Sequence, residues 1–160
     1  MQTKPNRLTP LQAWEKMKTY CAYQERCQSE VFGKLREASL TALEADTIIA
    51  RLIEENLLNE ERFARSFARG HFNLKKWGKK KIEYALRQKQ ISPYCIKKAM
   101  EEIEEDAYDN TLLKLATAKW EAVKAGTPAQ RWDKTRRYLL QKGFSPQDVL
   151  ATLRNLQSPQ

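Results

Sequence analysis

Glycine and proline are scarce in this chain, five and six among 160 residues. That works against a β-sandwich or barrel, whose many tight turns consume both. No apolar run approaches the roughly 20 residues that a membrane span needs. The opening Met1-Gln-Thr-Lys-Pro-Asn-Arg has no apolar core of the kind a signal peptide carries. Cys21, Cys27 and Cys95 are an odd set without CxxC spacing, and the single histidine, His71, completes no familiar zinc pattern with them. The cysteines are therefore read as reduced thiols of a cytoplasmic protein. No phosphate-cradling glycine loop exists, since Lys75-Lys-Trp-Gly-Lys-Lys-Lys81 is basic but lacks the P-loop order. His71 lies at the apolar edge of a helix, where a packed imidazole is expected rather than a general base. The acidic run Glu101, Glu102, Glu104, Glu105, Asp106, Asp109 lacks the alternating donors and turn glycine of a calcium loop, and is read as a solvated helix junction. The expectation is a protein that is not an enzyme and uses no cofactor, metal or membrane.

What the chain does have is positive charge, +9 overall with a pI near 9.5, held in one place. Between Arg62 and Lys89 stand ten basic residues and a single acid, Glu83. Segregated charge of this kind suits a polyanionic partner, either nucleic acid or an acidic protein surface. The stretch begins with Asn59 as a helix cap and Glu60 and Glu61 at the helix's positive end. Phe63, Phe67, Gly70 and Leu74 then recur at helical spacing as one face, with Arg62, Arg65 and Arg69 opposite. Lys75, Lys76, Lys79, Lys80 and Lys81 crowd a turn broken by Trp77 and Gly78. In the next helix Ile82, Ala85 and Leu86 face inward, and Lys80, Tyr84 and Arg87 outward. Phe63, Phe67, Ile82 and Leu86 are the expected core of this hairpin. Trp77 is either a plug between the helices or a platform for a stacked base, and Phe72 and Tyr138 are two further exposed aromatic candidates. A weaker basic face is expected on Arg131, Lys134, Arg137 and Lys142.

Four helix starts use one device, a hydroxyl cap followed by proline at Thr9-Pro10, Ser92-Pro93, Thr127-Pro128 and Ser145-Pro146. The spacing predicts a first helix from Pro10 to about Tyr23, burying Leu11, Trp14, Met17 and Cys21. Ser29 opens a short helix with Val31, Phe32 and Leu35 inward. Leu40–Glu44 reads as a connection, and Asp46–Asn56 as a helix with Ile48, Ile49, Leu52 and Ile53 on its face. Later helices are expected at about 106–124, 128–142 and 146–156, with Gly126 and Gly143 at the stops. Leu86-x-x-Lys89-x-Ile91-Ser92-Pro93-x-x-Ile96 returns 53 residues later as Leu139-x-x-Lys142-x-Phe144-Ser145-Pro146-x-x-Val149. Leu35 and Leu40 match the same pattern earlier. The predicted fold is all-α, with tandem three-helix repeats at 9–57, 58–104 and 105–156 stacked into an elongated curved array. Residues 1–8 and 157–160 are expected to be disordered.

The combination of Asn59, Phe63, Ala64, Trp77, Gly78, Ile82, Leu86 and Ile91 at fixed spacing resembles the central signature of the RecX family. One departure is Gln90, which stands where that family has a glycine. The resemblance implies a monomeric regulator of the RecA recombinase that binds the RecA filament on single-stranded DNA and modulates it, by inhibition in most of the family. DNA repair, homologous recombination and the SOS response would be its setting. The filament- or nucleic-acid-binding residues expected from the charge pattern are Arg62, Arg65, Arg69, Lys75, Lys76, Lys79, Lys80, Lys81, Arg87, Arg131, Lys134 and Arg137. Two other readings stay open, a sequence-independent DNA- or RNA-binding helical module and a scaffold that self-associates basic hairpin to acidic run.

Overall fold

The computed structural model describes residues 7–157, and all regular structure among them is helical. The helices are α1 (Pro10–Tyr23), α2 (Gln28–Glu37), α3 (Ala42–Glu54), α4 (Glu60–Asn73), α5 (Lys79–Gln88), α6 (Pro93–Met100), α7 (Glu105–Ala122), α8 (Pro128–Lys142) and α9 (Pro146–Gln157). The caps act as their sequence demands. Thr9, Thr127 and Ser145 accept from Gln12 N, Gln130 N and Asp148 N at 3.2 Å each. The expected connection at Leu40–Glu44 is instead the start of α3. Thr41 accepts from Glu44 N at 3.1 Å while Glu44 accepts from Thr41 N at 2.9 Å, a reciprocal pair that satisfies two orphan donors.

The middle helix of each set ends in the same way. Leu40 N, Ile91 N and Phe144 N donate to the carbonyls of Leu35, Leu86 and Leu139 at 3.2, 3.1 and 3.2 Å. The residue before each donor is left-handed: Ser39 at φ 67°, Gln90 at φ 63° and Gly143 at φ 103°. This is the six-to-one closure of a Schellman turn, and each places a buried apolar residue directly before the next helix. Only one of the three is glycine. Gly126 is no helix stop, since α7 ends at Ala122 and Gly126 lies in the loop beyond it.

Among the described residues the helices close over two cores. The first gathers Ala13, Trp14, Met17, Cys21, Val31, Leu35, Leu40, Ile48, Ile49, Leu52 and Leu58 from α1–α3 and the link to α4. The second runs unbroken from Phe63 on α4 to Leu153 on α9, and from the earlier part of the chain its buried residues include Cys27 alone, the residue before α2. Against expectation, Leu11 is 69% exposed, Leu74 84% and Ile53 45%, while Phe72 is buried. Leu8 packs onto the first core and its N–H donates to Ala38 O at 3.2 Å, while the exposed Arg7 pairs with Glu44 at 3.0 Å. At the other end Gln157 closes α9. The expectations for residues 1–6 and 158–160 lie outside the described residues.

Candidate polyanion-binding face

The basic hairpin is α4, a five-residue turn and α5. Asn59 caps α4 by accepting from Arg62 N at 2.8 Å. Lys76 reverses the chain at φ 58°, a left-handed conformation that a non-glycine residue adopts at some cost. Trp77 N then donates to His71 O at 3.1 Å, and Gly78 starts α5. Gly78 is buried and its N–H donates to Lys142 O at 2.7 Å, while Lys80 N donates to Gly143 O at 3.0 Å. Lys79 N donates to the Tyr108 hydroxyl at 3.3 Å. The unpaired N–H groups of α5 thus meet the unpaired carbonyls of α8, end to end. A Cβ on Gly78 would land on the Gly143 carbonyl carbon and oxygen, nearer than Cβ atoms come to other heavy atoms.

The expected basic residues divide into two kinds. The arginines are spent inside the molecule. Arg62 pairs with Glu25 and donates to the Asn56 side chain and carbonyl at 3.2 and 3.1 Å. Arg65 bonds Glu61 and Glu102 at 3.2 and 3.0 Å, and Arg69 reaches Glu102 at 3.1 Å. The Arg65 hydrogen bond holds the Glu102 carboxyl below the usual carboxylate range. The acidic run lies at the exposed α6–α7 junction as expected, and its first two acids, Glu101 and the half-buried Glu102, also pair with Arg65 of α4. Arg87 pairs with Glu83 one turn back at 3.4 Å, and Arg137 pairs with Asp133. Arg131 lies 4.3 Å over the Trp120 ring and donates to the Trp120 carbonyl at 2.7 Å.

The lysines are the second kind. Among the described residues no ion pair forms at Lys75, Lys76, Lys79, Lys80, Lys81 or Lys134. Lys75 and Lys81 hold their ammonium groups 5.5 and 4.6 Å from the centre of the half-buried Trp77 ring. Lys142 joins them from α8 by donating to Lys75 O at 2.8 Å, and burial together with Lys81 pushes its ammonium pKa down. Lys134 sits eight residues away on the same helix, roughly 12 Å along its axis, so the α8 charges do not form one patch. His71 stacks on Phe67 with ring centres 3.7 Å apart and lies 4.6 Å from Trp77. Burial holds the His71 pKa below its ordinary value. The assembled site is thus an aromatic cluster, Phe67–His71–Trp77, ringed by Lys75, Lys81 and Lys142. Phe72, the exposed aromatic expected from helical phase, is turned into the core against Tyr108. Tyr138 is half-buried under Lys119.

Comparison with known proteins bears on the fold and the family. The RecX second three-helix domain matches residues 59–100, and the RecX third three-helix domain matches residues 106–153. The Regulatory protein RecX of Prosthecochloris aestuarii is 30% identical over 137 residues, covering 86% of this chain and 88% of that protein. The chain belongs to the RecX family. The RecX of Streptococcus uberis is 32% identical over 140 residues and longer, so that this chain spans 52% of it. A crystal structure of regulatory protein RecX superposes with a TM-score of 0.82 at 25% identity, over 91% of this chain and 71% of that one. RecX from Lactobacillus salivarius shares the fold, with a TM-score of 0.80 at 24% identity over 92% and 96% of the two chains. The residues that carry the RecX signature here are structural apart from Trp77, which belongs to the aromatic cluster. Asn59 caps, Gly78 admits the α8 carbonyl, and Phe63, Ala64, Ile82, Leu86 and Ile91 are buried. The lysines around them are a separate layer of the sequence.

Proposed function

We propose that this protein regulates a RecA-type recombinase by lying along its filament on single-stranded DNA, with the turn lysines toward the anionic groove. The observation that carries the reading is the division of charge within a RecX chain. The arginines fasten the fold, whereas Lys75, Lys76, Lys79 and Lys80 meet no carboxylate among the described residues. Positive charge left unneutralised at a surface attracts phosphate and acidic protein alike. The regulator needs no catalysis of its own, and inhibition is the direction expected. It would act as a monomer in the cytoplasm.

The test is capture on RecA–single-stranded DNA filaments, with bare DNA and free RecA as controls. Changing Lys75, Lys76, Lys79 and Lys80 together to Glu should abolish capture and the inhibition of strand exchange. Helical circular dichroism and melting should stay near wild type, because those side chains form no ion pair among the described residues and their remaining contacts, Lys75 over Trp77, Lys79 over Tyr108 and Lys76 on the Asn73 carbonyl, are weak. On single strands the salt slope should fall by about 0.7 for every phosphate that no longer has a lysine. A folded quadruple variant that still inhibits would move the binding surface to Arg131, Lys134 and Arg137. The cation-ringed Trp77 favours a second reading, a sequence-independent nucleic-acid module, which predicts equal capture on bare DNA and on filaments.

A further inference from the structure

Gly70 has no structural reason to be glycine. It lies inside α4, in right-handed helical backbone, and a Cβ built on it meets nothing within 4 Å. Alanine would fit there and would favour the helix, since glycine is the worst interior helix former after proline. What Gly70 does is leave open one wall of a cleft of about 260 Å³ between the α1–α2 loop and α4. Phe63, Phe67 and His71 supply its apolar lining, Gln24 and Ser66 offer polar edges, and Lys75 stands at the rim. Glu25, also at the rim, is already held by Arg62. The cleft leads through His71 to Trp77 and so to the ammonium groups of Lys75 and Lys81.

We infer that this cleft takes an unpaired nucleobase of a single strand, with the neighbouring phosphates on Lys75 and Lys81. The ligand chemistry follows from the lining. A flat group that is apolar on its faces and polar at its edges matches an aromatic floor with an amide and a hydroxyl beside it, and cations at the rim match the phosphates that flank every base. An acidic protein surface would use the lysines and leave the aromatic cleft empty. The inference rests on the reading above, in that the lysines face nucleic acid, and it adds that DNA is touched directly and through its bases.

Two fluorescein-labelled probes of equal length separate these cases, an oligothymidylate and an abasic oligonucleotide carrying the same phosphates. The wild-type protein should prefer the oligothymidylate by about tenfold, the yield of one stacked base. Gly70→Leu, which fills the cleft, should reduce oligothymidylate binding to the abasic level and leave abasic binding unchanged. Gly70→Ala should melt higher than wild type and still lose part of the preference, which separates the cleft from folding. Equal binding of the two probes by wild type overturns the inference, as does a Gly70→Leu variant that keeps the preference. Filament capture by wild type, measured in parallel, tests the regulator reading independently of either probe.

Discussion

The two joints of this array are built from different materials. Between the second and third units the joint is backbone on backbone: the first N–H groups of α5 on the last carbonyls of α8, under a shared core in which Phe72, Tyr108 and Phe144 meet ring to ring at 6.0 and 5.2 Å. Between the first and second units it is side-chain and charged. Arg62 grips Glu25 and Asn56, Ser29 donates to Lys89 O at 2.8 Å, and Lys89 reaches Glu30 at 3.5 Å. Among the described residues, Cys27 alone joins the second core from the first unit. The later joint is buried at Gly78, Gly143 and Phe144, whereas the earlier one lies within reach of salt, with Arg62 and Glu25 side chains 39% and 24% exposed. One is a weld and the other a clasp.

The largest effect is expected where the weld is broken. Gly78→Ala puts a methyl group onto a backbone carbonyl that cannot swing aside, and should cost about 3 kcal/mol in urea unfolding. The unfolding should remain a single transition for the last two units, because their core is one. Arg62→Met undoes the clasp and should cost about 1 kcal/mol, the value of a partly solvated ion pair with its hydrogen bonds. Its sharper signature is separation. Amide exchange should show α1–α3 opening independently of α4–α9 in the variant, and salt at about 1 M should produce the same uncoupling in wild type while leaving the α5–α8 joint unaffected. The smallest change should stabilise. Gln90 is held at φ 63° beside the clasp, and Gly143 shows that glycine suits this turn. Gln90→Gly should therefore add about 0.5 kcal/mol. An unchanged or lower melting temperature for that variant would mean that the Gln90 side chain has a role of its own.

Much of this architecture is legible in the sequence because its boundaries are local. A hydroxyl followed by proline fixes a helix start through its own backbone, and the 53-residue echo places the same closure twice. Thr41 escapes because it lacks the proline, although Thr41-x-x-Glu44 has the spacing of Thr9-x-x-Gln12. The face of α4 misleads for a different reason. Its buried side is Phe63, Ala64, Ala68 and Phe72, centred on two alanines that let α6 approach closely but contribute little to a hydrophobic pattern. The larger side chains alone put Leu74 inside and Phe72 outside. Beyond the one-turn pair of Arg65 with Glu61, the partners of Arg62, Arg65 and Arg69 lie 37 or 33 residues away along the chain, at Glu25 and Glu102, and no periodicity pairs them. For that reason the lysine half of the basic stretch is separable from the arginine half only in three dimensions.

The meeting of α5 with α8 also sets an order of birth. A chain is made from its N-terminus, and domains close as their residues become available. The first unit has its core complete once Leu58 has been added, so it can fold while the rest is still being translated. The second is completed later, since the N-terminus of α5 finds its hydrogen-bond acceptors in the third unit, at Tyr108, Lys142 and Gly143. For more than sixty residues of synthesis Phe63, Ile82 and Leu86 must wait without their final neighbours Leu139 and Leu153. During that interval the lysines of the turn keep the unfinished segment strongly positive, and like charge of that kind opposes association of one nascent copy with another.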